Sequence, residues 1–235
     1  MTAQEVLSQL ETMGSEQTKK VLTRHGAREP FFGVKVGDLQ KIRRKVKKDQ
    51  PLASELYATG NSDAMYLAGL ISDESVITKD ELQKWVKGAY WYMISEYTVP
   101  WTAAESPYGL ELALEWIESE EEGIAAAGWC TLSSLASRKA DEDLDLDLYS
   151  NLMDRAEREV HSAPNRVRYT MNGFVIACGA YITSLTDKAL EMGERIGKVS
   201  VEMGGTACKV PVIVPYLNNI IDKGRVGKKR KDARC

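Results

Sequence analysis

The sequence predicts an all-α fold interrupted once, near its C-terminus, by a short β-hairpin. Three observations predict it. Apolar residues recur at helical spacing through most of the 235 residues. The periodic segments are joined by short connectors, and neighbouring pairs occupy roughly 40 residues, the period of two-helix HEAT repeats. Only between Ile196 and Pro211 does the apolar pattern change to a period of two.

Taken in order, Val6, Leu7, Leu10 and Met13 share one face of a first helix; Gly14 interrupts it, and Ser15 can cap a second helix through Leu22. Pro30 and Phe31-Phe32-Gly33 form a connector. In a helix over Val36–Asp49, Leu39, Ile42 and Val46 point inward, and Lys41, Arg44, Lys45 and Lys48 point elsewhere. Pro51 stops that helix and the next begins at once. Asp63–Ile71, apolar and rich in small residues, suits a buried helix. Thr78 and Glu81 form a capping box ahead of Leu82, Trp85 and Val86. Tyr90–Val99 follows, Pro100 ends it, and a loop runs to Pro107. Tyr108–Glu118 carries Leu110, Leu114 and Ile117 at helical spacing, and Gly123–Ala136 has the Ala and Gly content of closely approaching helices. Leu146–Val160, Asn165–Tyr181 and Leu185–Ile196 complete the set. About a dozen such helices make an α-solenoid or an irregular all-α domain, since no sharp repeat is visible. No linker divides the chain, so a single domain over 1–235 is expected.

The hairpin is expected at about 198–210. Val199, Val201 and Met203 alternate with polar residues up to Gly204-Gly205; Thr206, Cys208 and Val210 alternate back out. A Gly-Gly dipeptide suits a turn whose two residues both need positive φ. A lone hairpin is marginal in water, so it must lean on neighbouring helices. After the apolar segment Val212–Ile221, the chain closes in a basic tail, 223–235. A hairpin beside a basic tail reads either as a device for touching a partner or as a cap on the last helices.

Composition sets bounds. Apolar content of 43% and charged content of 28% are ordinary for a globular chain. No run of eighteen apolar residues exists, which excludes a membrane span. The first residues carry Glu5 and Glu11 without a basic segment, unlike a secretory signal. Cys130, Cys178, Cys208 and Cys235 lack metal-ligand spacing and fit a reduced, cytoplasmic setting. His25 and His161 share no ligand motif, so neither metal nor cofactor is expected. The net charge of −3 hides an asymmetry. Glu118–Glu122 and Asp141–Asp147 are acidic, whereas Lys41–Lys48 and the tail are basic.

Clustered cations point to a phosphate-bearing partner, because neutralising phosphates releases condensed counterions. Lys41, Arg43, Arg44, Lys47 and Lys48 supply one candidate contact line, and Arg166 and Arg168 a second. Lys198 and Lys209 sit on the expected hairpin. Lys223–Arg234, with Lys223, Arg225, Lys228, Lys229, Arg230 and Lys231 as its contacts, would wrap the phosphate backbone as a flexible arm. Trp85, Trp101, Trp116 and Trp129 lie on apolar faces and read as core, whereas Trp91 is the candidate for an exposed stacking ring. Cys208, near Lys198 and Lys209, reads as an activated thiol or as a small half-buried strand residue.

Phe32-Gly-Val-Lys-Val-Gly-Asp-Leu39, Ala89-Tyr-Trp-Tyr-Met-Ile-Ser95, Met171-Asn-Gly-Phe-Val-Ile-Ala177 and above all Ile196–Cys235 (IGKVSVEMGGTACKVP, then GKKRKDARC) carry a resemblance. The chain resembles the AlkD-like superfamily of HEAT-like repeat DNA alkylation repair proteins, and its C-terminus resembles the AlkF/AlkG-type branch. That resemblance implies a HEAT-like repeat α-solenoid and a monomer that binds branched or distorted DNA rather than excising bases. The glycosylase branch combines tryptophans, a carboxylate and arginines, which suit a cationic alkylated base. Here Trp91 keeps an aromatic, but the carboxylate position reads Ser95, with Glu96 one residue on. The position expected for a clamping Arg falls in Ile124–Ala127, which has none, and the later Trp and Arg positions read Phe174 and Ala177. The alternative is an alkylpurine DNA glycosylase using Trp91 and Glu96.

Overall fold

The computed structural model describes residues 1–234, so Cys235, the end of the expected tail, lies outside the described residues. Thirteen α-helices occur among them: α1 (Ala3–Met13), α2 (Glu16–Arg24), α3 (Val36–Val46), α4 (Gln50–Ala58), α5 (Ser62–Ile71), α6 (Lys79–Gly88), α7 (Val99–Glu105), α8 (Gly109–Trp116), α9 (Glu122–Arg138), α10 (Leu146–Glu159), α11 (Asn165–Tyr181), α12 (Thr186–Ile196) and α13 (Ile213–Asp222). A π-helical turn, Ile94–Thr98, leads directly into α7.

Helix starts follow local chemistry. Thr2 and Glu5 exchange side-chain and backbone bonds at the start of α1, and Ser15 accepts from the Thr18 N–H at the start of α2. Of the box expected at Thr78, one half is made. Thr78 accepts from the Glu81 N–H, but the Glu81 carboxylate takes Gln50 and Ser54 as donors, tying α6 to α4. The loop expected after Pro100 is α7 instead. Pro100 lies in the first turn of α7, where proline is tolerated.

The helices stack in pairs: α4 on α5, α6 on α7, α8 on α9, α10 on α11 and α12 on α13. The second members, α5, α7, α9, α11 and α13, also lie side by side and form one layer of a HEAT-like solenoid. Gly128 on α9 shows why that segment is rich in small residues, since a Cβ there would sit 2.7 Å from the Ile117 backbone nitrogen. Two clusters fill the stack. The first gathers Leu10, Leu39, Leu67, Trp85, Trp101 and Trp116, and the second Trp129, Tyr149, Phe174, Met192 and Leu217. The four tryptophans read as core are all buried.

The expected β-hairpin is absent: among the described residues there is no β-strand. Gly204 and Gly205 do take positive φ, 66° and 69°. The residues flanking them do not pair, because their backbone groups are taken elsewhere. The backbone N–H and carbonyl of Glu202 both bond to the Asn165 side chain, at 2.7 and 2.9 Å. The Met203 carbonyl accepts from the Thr206 N–H and hydroxyl, the Cys208 N–H donates to the Thr206 hydroxyl, and the Pro211 carbonyl accepts from Asn172. A backbone group bonded to a side chain is lost to a ladder. With Val199 buried in the second core cluster, residues 197–212 form a loop docked along α11.

Candidate nucleic-acid interface

The π turn places Glu96 opposite the start of α11. The Val99 N–H reaches back five residues to the Ile94 carbonyl, the bond that widens the helix there. Arg166 grips the Glu96 carboxylate with two bonds, Nε to Oε1 at 2.6 Å and Nη2 to Oε2 at 2.5 Å. Its guanidinium lies 4.6 Å from the Tyr92 ring centroid and 4.5 Å from that of Tyr169. The Arg166 N–H donates to Glu122 at the start of α9, 2.8 Å away. One residue therefore ties three successive helix pairs together. Tyr92 is held in turn by His25, with its hydroxyl 2.6 Å from Nδ1.

Burial pushes the Glu96 carboxyl above the ordinary carboxylate range, and the Arg166 guanidinium pulls the other way. Burial also lifts the Tyr92 hydroxyl to about 12, so it stays protonated beside His25. The Glu96 side chain is 2% exposed, and both of its oxygens are spent on Arg166. Trp91, expected to be exposed, is 8% exposed and packs in the first core cluster. Above the pair, the docked loop meets the end of α2 across a cleft of about 230 Å³, with Arg24 and His25 on one side and Met203 and Gly204 on the other.

The basic residues separate into groups. Lys198 and Lys209 are exposed on the docked loop. Arg168 is half-buried on α11, beside Arg166 in sequence but without its carboxylate partner. Lys41 on α3 is exposed and paired with Asp38 at 2.7 Å. The tail is no flexible arm. It runs across the C-terminal ends of α11, α9, α7 and α5 in turn: Gly227 N–H to the Ala180 carbonyl, Arg230 N–H to the Ser137 carbonyl, Ala233 N–H to Glu105. Arg234, its side chain 4% exposed, donates to the carbonyls of Gly69 and Ser72 and pairs with Glu74. The physical reason is that helix C-termini present unsatisfied carbonyls and a negative dipole end, both met by a basic strap.

Docking the tail joins two basic runs that are far apart in sequence. Arg43, Arg44, Lys47 and Lys48 of α3 and its C-terminus share a cleft of about 460 Å³ with Arg138 and Lys231. Arg43 pairs with Asp232, Lys48 with Glu74 and Arg138 with Glu105. Arg44, Lys47 and Lys231 are exposed. Further along the strap, Lys229 pairs with Asp141, and Lys223, Arg225, Lys228 and Arg230 face solvent.

No group of three or more His, Cys, Asp or Glu side chains is placed to hold a metal among the described residues. Cys208 is exposed, while burial pushes the Cys130 and Cys178 thiols up. None of the described helices is long and apolar enough to cross a membrane.

Residues 6–201 match the model of a family described as DNA alkylation repair enzymes. The chain belongs to that family. It is 33% identical over 223 residues to uncharacterized proteins of Listeria innocua and Listeria monocytogenes, covering 92% of this chain and 96% of each relative. A solved structure with 35% identity superposes with a TM-score of 0.92 over the whole of both chains. It is described as one of a new family of proteins related to the HEAT-like repeat DNA glycosylases with affinity for branched DNA structures.

Within the alkylation repair family frame, the positions read from the resemblance are all interior. Ser95, Ile124–Ala127, Phe174 and Ala177 are buried, and none presents a charge. Glu96 and Arg166 were each legible as candidates, one as an acid and one as a phosphate contact, and the structure pairs them with each other. The residues that hold this pair, Tyr92, Tyr169, Glu122 and His25, carried no sequence signal. Their proximity depends on which helix pairs stack.

Proposed function

We propose that this protein binds branched or distorted DNA by shape and charge and does not excise alkylated bases. The observation that carries this reading is the Glu96–Arg166 pair. A glycosylase needs a carboxylate free to face the sugar as positive charge develops there. Here Glu96, the carboxylate the glycosylase alternative would use, is buried and fully engaged by a guanidinium that lies against two tyrosines. The cations of α3 and the docked strap supply phosphate contacts that need no base reading. The branched-DNA affinity stated for the similar solved protein supports the same substrate class.

The proposed contacts are Arg44, Lys47 and Lys231 first. Lys41, Arg43, Lys48, Lys229, Arg230, Lys223, Arg225, Lys228, Lys198, Lys209 and Arg168 are proposed as further contacts, whereas Arg166 is already spent on Glu96. The reading takes residues 1–235 as a single domain acting as a monomer in the cytoplasm, which sedimentation and cell fractionation would check. The functional test is a paired assay on one preparation. Binding to a four-way junction with no release of bases from methylated DNA is expected. Base release abolished by Glu96→Gln would replace this reading with the glycosylase alternative.

A further inference from the structure

At the last helix pair, the end of α11, the outer face of α13 and the first turn of the strap enclose a cavity of about 360 Å³. That is within the size range of small-ligand clefts, about 300–1,000 Å³. Tyr181 and Tyr216 line it, with Asn219, Lys223, Arg225 and Lys228, and none of its lining residues is acidic. This sets it apart from the cleft at α3, where Glu74, Glu105 and Asp232 already engage part of the positive charge. The Tyr216 side chain is large, 48% exposed and on the open side of α13.

The backbone that carries Arg225 and Lys228 is held rather than loose. The Arg225 N–H bonds to the Ile220 carbonyl at 3.0 Å, the Lys228 N–H to the Arg225 carbonyl at 3.2 Å and the Gly227 N–H to the Ala180 carbonyl at 2.9 Å. Gly227 makes this turn at φ 71° against Thr183, whose hydroxyl would lie 2.6 Å from any Cβ there. The end of α13 and this turn bring Lys223, Arg225 and Lys228 to one cavity with the exposed Tyr216, at a lower ordering cost than a free arm.

An exposed aromatic ring sharing a cavity with several cations is the chemistry that holds single-stranded nucleic acid. A base stacks on the ring and its flanking phosphates meet the cations, with little dependence on sequence. We propose that this cavity binds an unpaired nucleotide, with the base stacked on Tyr216 and the phosphates held by Lys223, Arg225 and Lys228. The inference rests on the DNA-binding reading and names the feature of a branched substrate that is recognised: unpaired bases where duplex arms diverge.

The test uses the full chain and a fluorescent oligo(dT), alongside a four-way junction. Tyr216→Ala is expected to weaken oligo(dT) binding on the order of tenfold, the scale of one lost base–aromatic stack. Tyr216→Phe, which keeps the ring, is expected to bind as the parent does. Lys223→Ala/Arg225→Ala is expected to weaken binding and flatten its salt dependence. Oligo(dT) binding that is absent, or unchanged by Tyr216→Ala, overturns the cavity's role whatever the junction does. Tyr216-dependent oligo(dT) binding by a protein that ignores the junction supports the cavity and overturns the branched-DNA reading.

Discussion

Replacing Arg166 by Met should be among the most damaging single changes in the molecule, although the residue is not an apolar core side chain. The substitution removes both hydrogen bonds to Glu96 and leaves a carboxylate whose side chain is 2% exposed without a counter-charge. Breaking a buried pair from one side costs about 3–5 kcal/mol, much of it the penalty of the stranded charge. Loss of the two ring contacts to Tyr92 and Tyr169 adds on the order of 1 kcal/mol. Removing both charges together, as Glu96→Gln/Arg166→Met, leaves nothing stranded and should cost far less than the sum of the single changes. Urea unfolding of the four species gives the coupling directly. A value of about 2 kcal/mol or more is expected. The cost should also depend on pH. Burial raises the Glu96 carboxyl in the folded state, so the folded form holds the proton more tightly than the unfolded one. Stability then falls as pH rises through that range, and the Arg166→Met defect should shrink as pH falls toward the ordinary carboxylate range, because Glu96 takes up its proton above that range. Additive single costs, or a defect under about 1 kcal/mol at neutral pH, would refute the account of the pair.

Three further outcomes are expected. Arg234→Ala should release the strap, costing about 2 kcal/mol from hydrogen bonds made by a buried charge. Faster hydrogen exchange at the Arg230 and Ala233 amides would report it, and unchanged exchange would contradict the docking. The same strap should loosen in acid. Glu74 and Asp232 are part-buried, and the net effect of their hydrogen bonds and neighbouring cations is to hold both below their ordinary values against burial. Their contribution is present above the unfolded carboxylate range and lost as pH falls below about 4. Gly128→Ala should cost about 1–3 kcal/mol by overpacking α9 against the end of α8, read as a lower urea midpoint with an unchanged slope.

Much of the architecture was legible because it rests on local patterning. Asn165–Tyr181 has the same limits in sequence and structure, and the tryptophans at helical spacing are core. The hairpin shows the limit of that logic. Gly204-Gly205 signalled a turn and the turn exists, but pairing needs unclaimed backbone, and Asn165 had claimed it. The tail misled for a related reason. A run of cations reads as solvated arm, whereas Ala233 and Arg234 are buried because helix ends along one edge of the stack offer carbonyls and carboxylates. The π turn had no signature at all. It registers as one longer hydrogen-bond reach, and it stands opposite the arginine that Glu96 meets 70 residues away.

The measurement that bears most directly on the central claim is a competition between a four-way junction and a linear duplex of equal length, repeated across a salt series. A structure-selective binder keeps its junction preference at physiological salt, with affinity falling as salt rises because counterion release then gains less. Equal binding to both shapes, or no binding at physiological salt, would contradict the account.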